Sequence, residues 1–116
     1  MTTTLFGISN CDTIKKAKKW LEQHDIDYAF HDYRKQGLDA NWLAETESHL
    51  GWENLLNKRG TTYRQLPEED KQSLNKETAL ALLLAHPAMI KRPVLHYNNQ
   101  YFLGFKAEQY KDIFAL

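Results

Sequence analysis

The chain has 116 residues, with 15 Lys and Arg balanced by 15 Asp and Glu, and a formal net charge of zero. That length supports one hydrophobic core without metal or disulfide staples, and the even charge leaves no global basic surface for sequence-independent nucleic-acid binding. A single cysteine excludes an internal disulfide, so redox chemistry there must take its second sulfur from another molecule.

The start, Met1-Thr2-Thr3-Thr4, lacks a basic segment and a long apolar core, and no stretch reaches the roughly 18 apolar residues that span a bilayer. The expectation is a cytoplasmic, monomeric protein of one domain over residues 1–116, with no membrane partner and no direct nucleic-acid partner. His24, His31, His49, His86 and His96 show no close ligand pairing and one thiol cannot build a thiolate cage, so no metal is expected.

Thr3 to Ile8 is a short β-rich run, and Gly7-Ile8-Ser9-Asn10-Cys11-Asp12-Thr13-Ile14-Lys15-Lys16 carries it through a turn into a helix. Cys11 therefore meets the unpaired N–H groups and positive dipole end of that helix, which favour thiolate over thiol. A lone cysteine is ordinarily a small buried apolar residue, but here polar Ser9, Asn10, Asp12 and Thr13 surround it. The helix from Asp12 to His24 sets Ile14, Ala17, Trp20 and Leu21 inward and its lysines largely outward; Lys15, one turn beyond Cys11, could help hold an anion.

Tyr28 to Tyr33 reads as a second strand, which makes a βαβ unit with parallel strands and puts Cys11 at the carboxyl edge of the sheet, where α/β folds bind ligands. From about 38 to 88 the chain is helical and is expected to pack on the same domain. Asp39 caps a helix carrying Trp42, Leu43, Thr46 and Leu50 and ended by Gly51; Trp52 to Leu56 adds a turn, Pro67 starts a short helix, and Thr78 to Ala85 forms a strong one. Within it Asn57 to Arg64 is polar and basic, and reads as a loop. Val94 to Tyr97 and Gln100 to Gly104 form a hairpin over Asn98-Asn99, and Ala107 to Leu116 a final helix. The order βαβ, helical insertion, ββα is an α/β, thioredoxin-like fold with a mixed four-stranded sheet.

That plan sets a proline, commonly cis, against the active thiol at the start of the third strand, where Arg92-Pro93 stands. Together with Cys11, the segments His31-Asp32-Tyr33-Arg34, Leu56-Asn57-Lys58-Arg59-Gly60-Thr61-Thr62-Tyr63-Arg64, Ile90-Lys91-Arg92-Pro93 and Leu103-Gly104-Phe105 resemble the ArsC (arsenate reductase) family, in its YffB/Spx-like branch. The resemblance implies Cys11 as nucleophile and Arg92 as one of three arginines that bind the oxyanion and lower the thiol pKa. Asn57 stands where the first of these is expected, Phe105 and Lys106 near the third, and Gly7 where arsenate reductases carry a histidine. For the YffB branch it implies a glutathione-dependent thiol reductase, with glutathione as co-substrate, glutaredoxin as a further partner, and Asn10, Asp12, Thr13, Lys15, Arg59 and Pro93 as candidate binding residues. Arsenate reduction is one alternative. Another is an Spx-type regulator that binds the RNA polymerase alpha subunit, whose usual cysteine pair would need a second thiol where this chain has Ile14.

Overall fold

The computed structural model describes residues 2–116. Strand β1 (Thr3–Gly7) leads into helix α1 (Asp12–Gln23) and strand β2 (Ala29–Asp32), and a second pair of strands, β3 (Val94–Tyr97) and β4 (Gln100–Leu103), precedes the last helix, α8 (Ala107–Ile113). Between the halves lie α2 (Tyr33–Gln36), α3 (Ala40–Leu50), α4 (Trp52–Leu55), α5 (Thr61–Arg64), α6 (Glu68–Gln72) and α7 (Lys76–Ala85). The sheet runs β2-β1-β3-β4, with β1 and β2 parallel and the β1–β3 and β3–β4 pairs antiparallel, as in a thioredoxin-like fold.

Alternation along the central strands divides the core between the two faces of the sheet. Leu5 pairs with Leu95 in register, and both pack with Ala17, Trp20, Leu21 and Tyr110 under α1 and α8. Val94, next along β3, turns to the opposite face and joins Leu43, Leu55, Leu56, Leu83, Met89 and Ile90 of the helical insertion. Burying each such leucine stabilises the fold by about 2 kcal/mol, so the insertion is a second half of the core. Asn98 and Asn99 both adopt left-handed backbone (φ 55 and 59), as the tight hairpin between β3 and β4 requires.

Three expectations are corrected. Tyr33 does not extend β2; it opens α2, because the Asp32 carboxylate accepts hydrogen bonds from the N–H groups of Arg34 (3.0 Å) and Lys35 (3.2 Å) and turns the chain into a helix. Helix α7 starts at Lys76 instead of Thr78, since Asn75 and Thr78 form a reciprocal capping box. The basic segment read as a loop contains α5 over its last four residues, Thr61–Arg64.

Two contacts fix the β1–α1 junction. Asp32, only 5% exposed, also accepts from the Ser9 N–H (3.1 Å) and so ties the end of β2 to the turn that carries Cys11. Burial pushes its carboxyl up, but hydrogen bonding from Ser9, Lys35 and Arg34 outweighs this and leaves its pKa below the usual value. At the other contact, Ile14 is fully buried and its side chain fills the space over Gly7, so that a Cβ on Gly7 would run into Ile14 Cδ1.

Gly7→Val should therefore lower stability by about 1–3 kcal/mol in a urea titration, and pairing it with Ile14→Ala should recover part of that loss. Asp32→Ala should cost about 2 kcal/mol at neutral pH. Since the folded pKa of Asp32 is depressed, its contribution is full above the ordinary carboxylate range and fades as pH falls through that range toward the folded value. Urea midpoints of wild type and Asp32→Ala should accordingly converge on acidification; a constant gap would assign the loss to packing.

Candidate active site

Cys11 is the N-cap of α1, with extended backbone (φ −91, ψ 130) and no side-chain capping hydrogen bond, so its sulfur rests at the helix end among unpaired N–H groups. Its own N–H donates to Ile8 O (3.2 Å) and its carbonyl accepts from Lys15 N–H (3.1 Å), which locks the turn. Burial pushes the half-buried thiol up. The backbone N–H of Ile14, the Arg92 side chain and the backbone N–H of Thr13 act more strongly in the other direction, and the pKa lies below that of an ordinary cysteine.

Arg92 is held from behind. Its Nη1 donates to Ala88 O (3.0 Å) and Ile90 O (3.5 Å), which aims the rest of the guanidinium toward the sulfur and the groove. The Arg92-Pro93 peptide is cis, Pro93 is buried, and its carbonyl accepts from Gly104 N–H (2.8 Å), so the start of β3 and the end of β4 form one wall.

The insertion supplies the opposite wall through a short antiparallel pairing. Leu56 bridges Ile90, Asn57 N–H donates to Met89 O (2.8 Å), and Lys91 N–H donates to Leu55 O (2.7 Å). This pairing brings the segment after α4 beside the segment before β3. Lys58, Arg59, Lys91 and Arg92 consequently line one open groove of about 920 Å³ with Cys11 and Thr13, and Glu53 is the carboxylate in that lining. Such a site favours an anionic ligand whose reacting atom reaches the sulfur.

Of the residues expected from sequence, Cys11, Thr13, Arg59 and Arg92 meet in this groove and Pro93 lies buried beneath its edge. Asn10 and Asp12 are exposed and do not line it. Lys15 is also exposed outside the lining; only its backbone N–H returns to Cys11, because one helical turn carries its side chain past the sulfur. From sequence, Lys58 and Lys91 stand only as neighbours of Arg59 and Arg92 in their motifs, and the structure adds both to the lining. Asn57 faces the groove without charge, and its Oδ1 accepts from Arg59 N–H (3.2 Å), which shapes the basic turn. At the remaining corner Phe105 packs edge-on against Tyr110 (4.7 Å) and Lys106 is exposed ahead of α8, so the groove is bounded there by Leu103 and Gly104. Among the described residues no group of three or more His, Cys, Asp or Glu could hold a metal ion, and no helix is long and apolar enough to cross a membrane.

Known proteins resemble this chain along nearly its whole length. The solved YFFB protein is 44% identical, with a TM-score of 0.91 over 96% of this chain and 97% of that one. An arsenate reductase (ArsC) related protein from Brucella melitensis is 50% identical, with a TM-score of 0.80 over 100% of this chain and 97% of the other. The global transcriptional regulator Spx of Streptococcus mutans is 25% identical over 108 residues, which are 91% of this chain and 78% of Spx. The family model described as ArsC family matches residues 6–113, from near the end of β1 to the end of α8, and the chain belongs to the ArsC family.

Proposed function

We propose that this protein is a glutathione-dependent thiol–disulfide reductase with Cys11 as its single nucleophile. One observation carries the reading: an acidified thiol at a helix N-terminus opens onto a groove walled by Lys58, Arg59, Lys91 and Arg92. The Cys11 thiolate attacks one sulfur of a disulfide; a new S–S bond forms, the old one breaks, and the departing thiolate takes a proton from water. Glutathione thiolate then attacks the substrate-derived sulfur of the mixed disulfide and expels Cys11 as thiolate. Where that sulfur belongs to glutathione, the product is glutathione disulfide. The low Cys11 pKa serves both halves, since it maintains the attacking thiolate and makes Cys11 the better leaving group. Glutathione carries two carboxylates, and Arg59 with its neighbours offers them charge-assisted partners.

The arsenate alternative is weakened by Asn57 and by the position of Lys106 outside the groove, because an oxyanion then keeps Arg92 alone of the expected three. The similarity to Spx raises a regulatory reading. Against a cysteine-pair switch, Ile14 is fully buried over Gly7 and leaves no second thiol beside Cys11.

Intact-mass spectrometry after treatment with oxidised glutathione should show one added glutathione on wild type and none on Cys11→Ser. Reduced glutathione should then remove it during turnover on a small disulfide, while arsenate gives no turnover. Arg59→Ala should raise the KM for glutathione by about 5–10-fold with a smaller change in kcat. An unmodified Cys11 in the folded protein would overturn the catalytic reading.

A further inference from the structure

Two buried polar atoms beside the site, Tyr33 Oη and Arg92 Nε, have no hydrogen-bond partner among the described residues and so do not bond each other in this structure. They are nonetheless neighbours: Tyr33 is 2% exposed, and its phenol lies against the Arg92 guanidinium and within electrostatic reach of Cys11 and Asp32. A buried hydroxyl and a buried guanidinium N–H left apart are each costly, whereas a phenol oxygen can accept the hydrogen that Nε offers. Arg92 has five N–H hydrogens, and Nη1 directs its pair to Ala88 O and Ile90 O. If Nε is occupied by Tyr33, Nη2 remains for Cys11 and the incoming anion.

We infer that Tyr33 is a positioning residue for Arg92: a small turn of the phenol lets its hydroxyl accept from Nε, satisfies both buried atoms and fixes the guanidinium against the Cys11 sulfur. Burial pushes the Tyr33 hydroxyl up to about 12, although Arg92 beside it pulls the other way, so it stays a neutral phenol throughout the working range. It is thus unsuited to protonating a departing thiolate and suited to a fixed hydrogen bond. Its place in the chain follows from the Asp32 cap, which turns Tyr33 out of the strand and into the first position of α2. Adjacent residues then support the site from two sides, Asp32 through Ser9 and Tyr33 through Arg92.

The inference rests on Cys11 being the reactive thiol of the proposed reductase, and iodoacetamide alkylation measures that separately from turnover. The groups that set the alkylation profile are the Thr13 and Ile14 N–H groups, Arg92, and the more distant Glu53, Lys58, Arg59 and Lys91 of the groove. Tyr33→Phe leaves all of these in place. It should shift the profile to higher pH, so that alkylation at about pH 6 slows roughly threefold to fivefold while near-UV circular dichroism stays native. In the Arg92→Lys background, which lacks Nε, Tyr33→Phe should add no further shift.

A wild-type profile in Tyr33→Phe, or an equal shift in both backgrounds, would overturn the positioning role and leave the reductase reading intact. A wild-type profile resembling that of an unfolded thiol would instead sink the reading of the site itself. Should Tyr33→Phe fail to fold, the wild-type protein decides: a nuclear Overhauser contact between the Arg92 Nε proton and the Tyr33 ring supports the pairing, and its absence refutes it.

Discussion

The site depends on a few backbone hydrogen bonds far apart in sequence, Asn57 N–H to Met89 O and Lys91 N–H to Leu55 O around the Leu56–Ile90 bridge. Neither segment forms a regular strand, yet the pairing joins the middle of the insertion to the approach to β3. Leu55, Leu56, Met89 and Ile90 are all buried in one cluster, so packing and hydrogen bonding enforce the same register. Without it the basic turn Lys58-Arg59 would be solvated surface. With it, that turn and Lys91-Arg92 share a groove with the thiol.

Cys11 itself needs less of the chain. A strand, a turn held by Asp32 and a helix end create a polar, positive local field, and Arg92 reinforces it from β3. The sulfur remains half-buried, which limits how far these contacts can acidify it because burial acts against them. The neighbouring residues divide the remaining work. Ile14 packs where a resolving thiol would otherwise stand, and Gly7 gives it the room. In the proposed reductase, recharging therefore comes from outside the chain, and the cationic groove is the route offered to an anionic thiol.

Much of this was legible in the sequence because the signals were local. Asp39 and Gly51 bound α3 as their capping chemistry suggests, Asn98-Asn99 turns the hairpin, and the α1 stripe of Ile14, Ala17, Trp20 and Leu21 is buried. Cys11 could be placed from the strand–turn–helix pattern alone. What escaped depends on tertiary contacts or on side-chain capping. Tyr33 continued an alternating β pattern until Asp32 used its carboxylate to start a helix. Lys58 and Lys91 gave only the signal of lying beside Arg59 and Arg92, because nothing in a run of charges reveals that a segment roughly thirty residues away will pair with it. Lys15 shows the converse: it is near Cys11 along the helix, yet its exposed side chain is not among the groove lining.

The most direct test of the account is a comparison of backbone amide chemical shifts between the reduced protein and its Cys11–glutathione mixed disulfide. The account predicts changes at Cys11 and Thr13 together with two distant clusters, residues 57–59 and 91–92, with further changes beside Gly104. Changes confined to the first turns of α1, with the Lys58-Arg59 and Lys91-Arg92 amides unmoved, would contradict it.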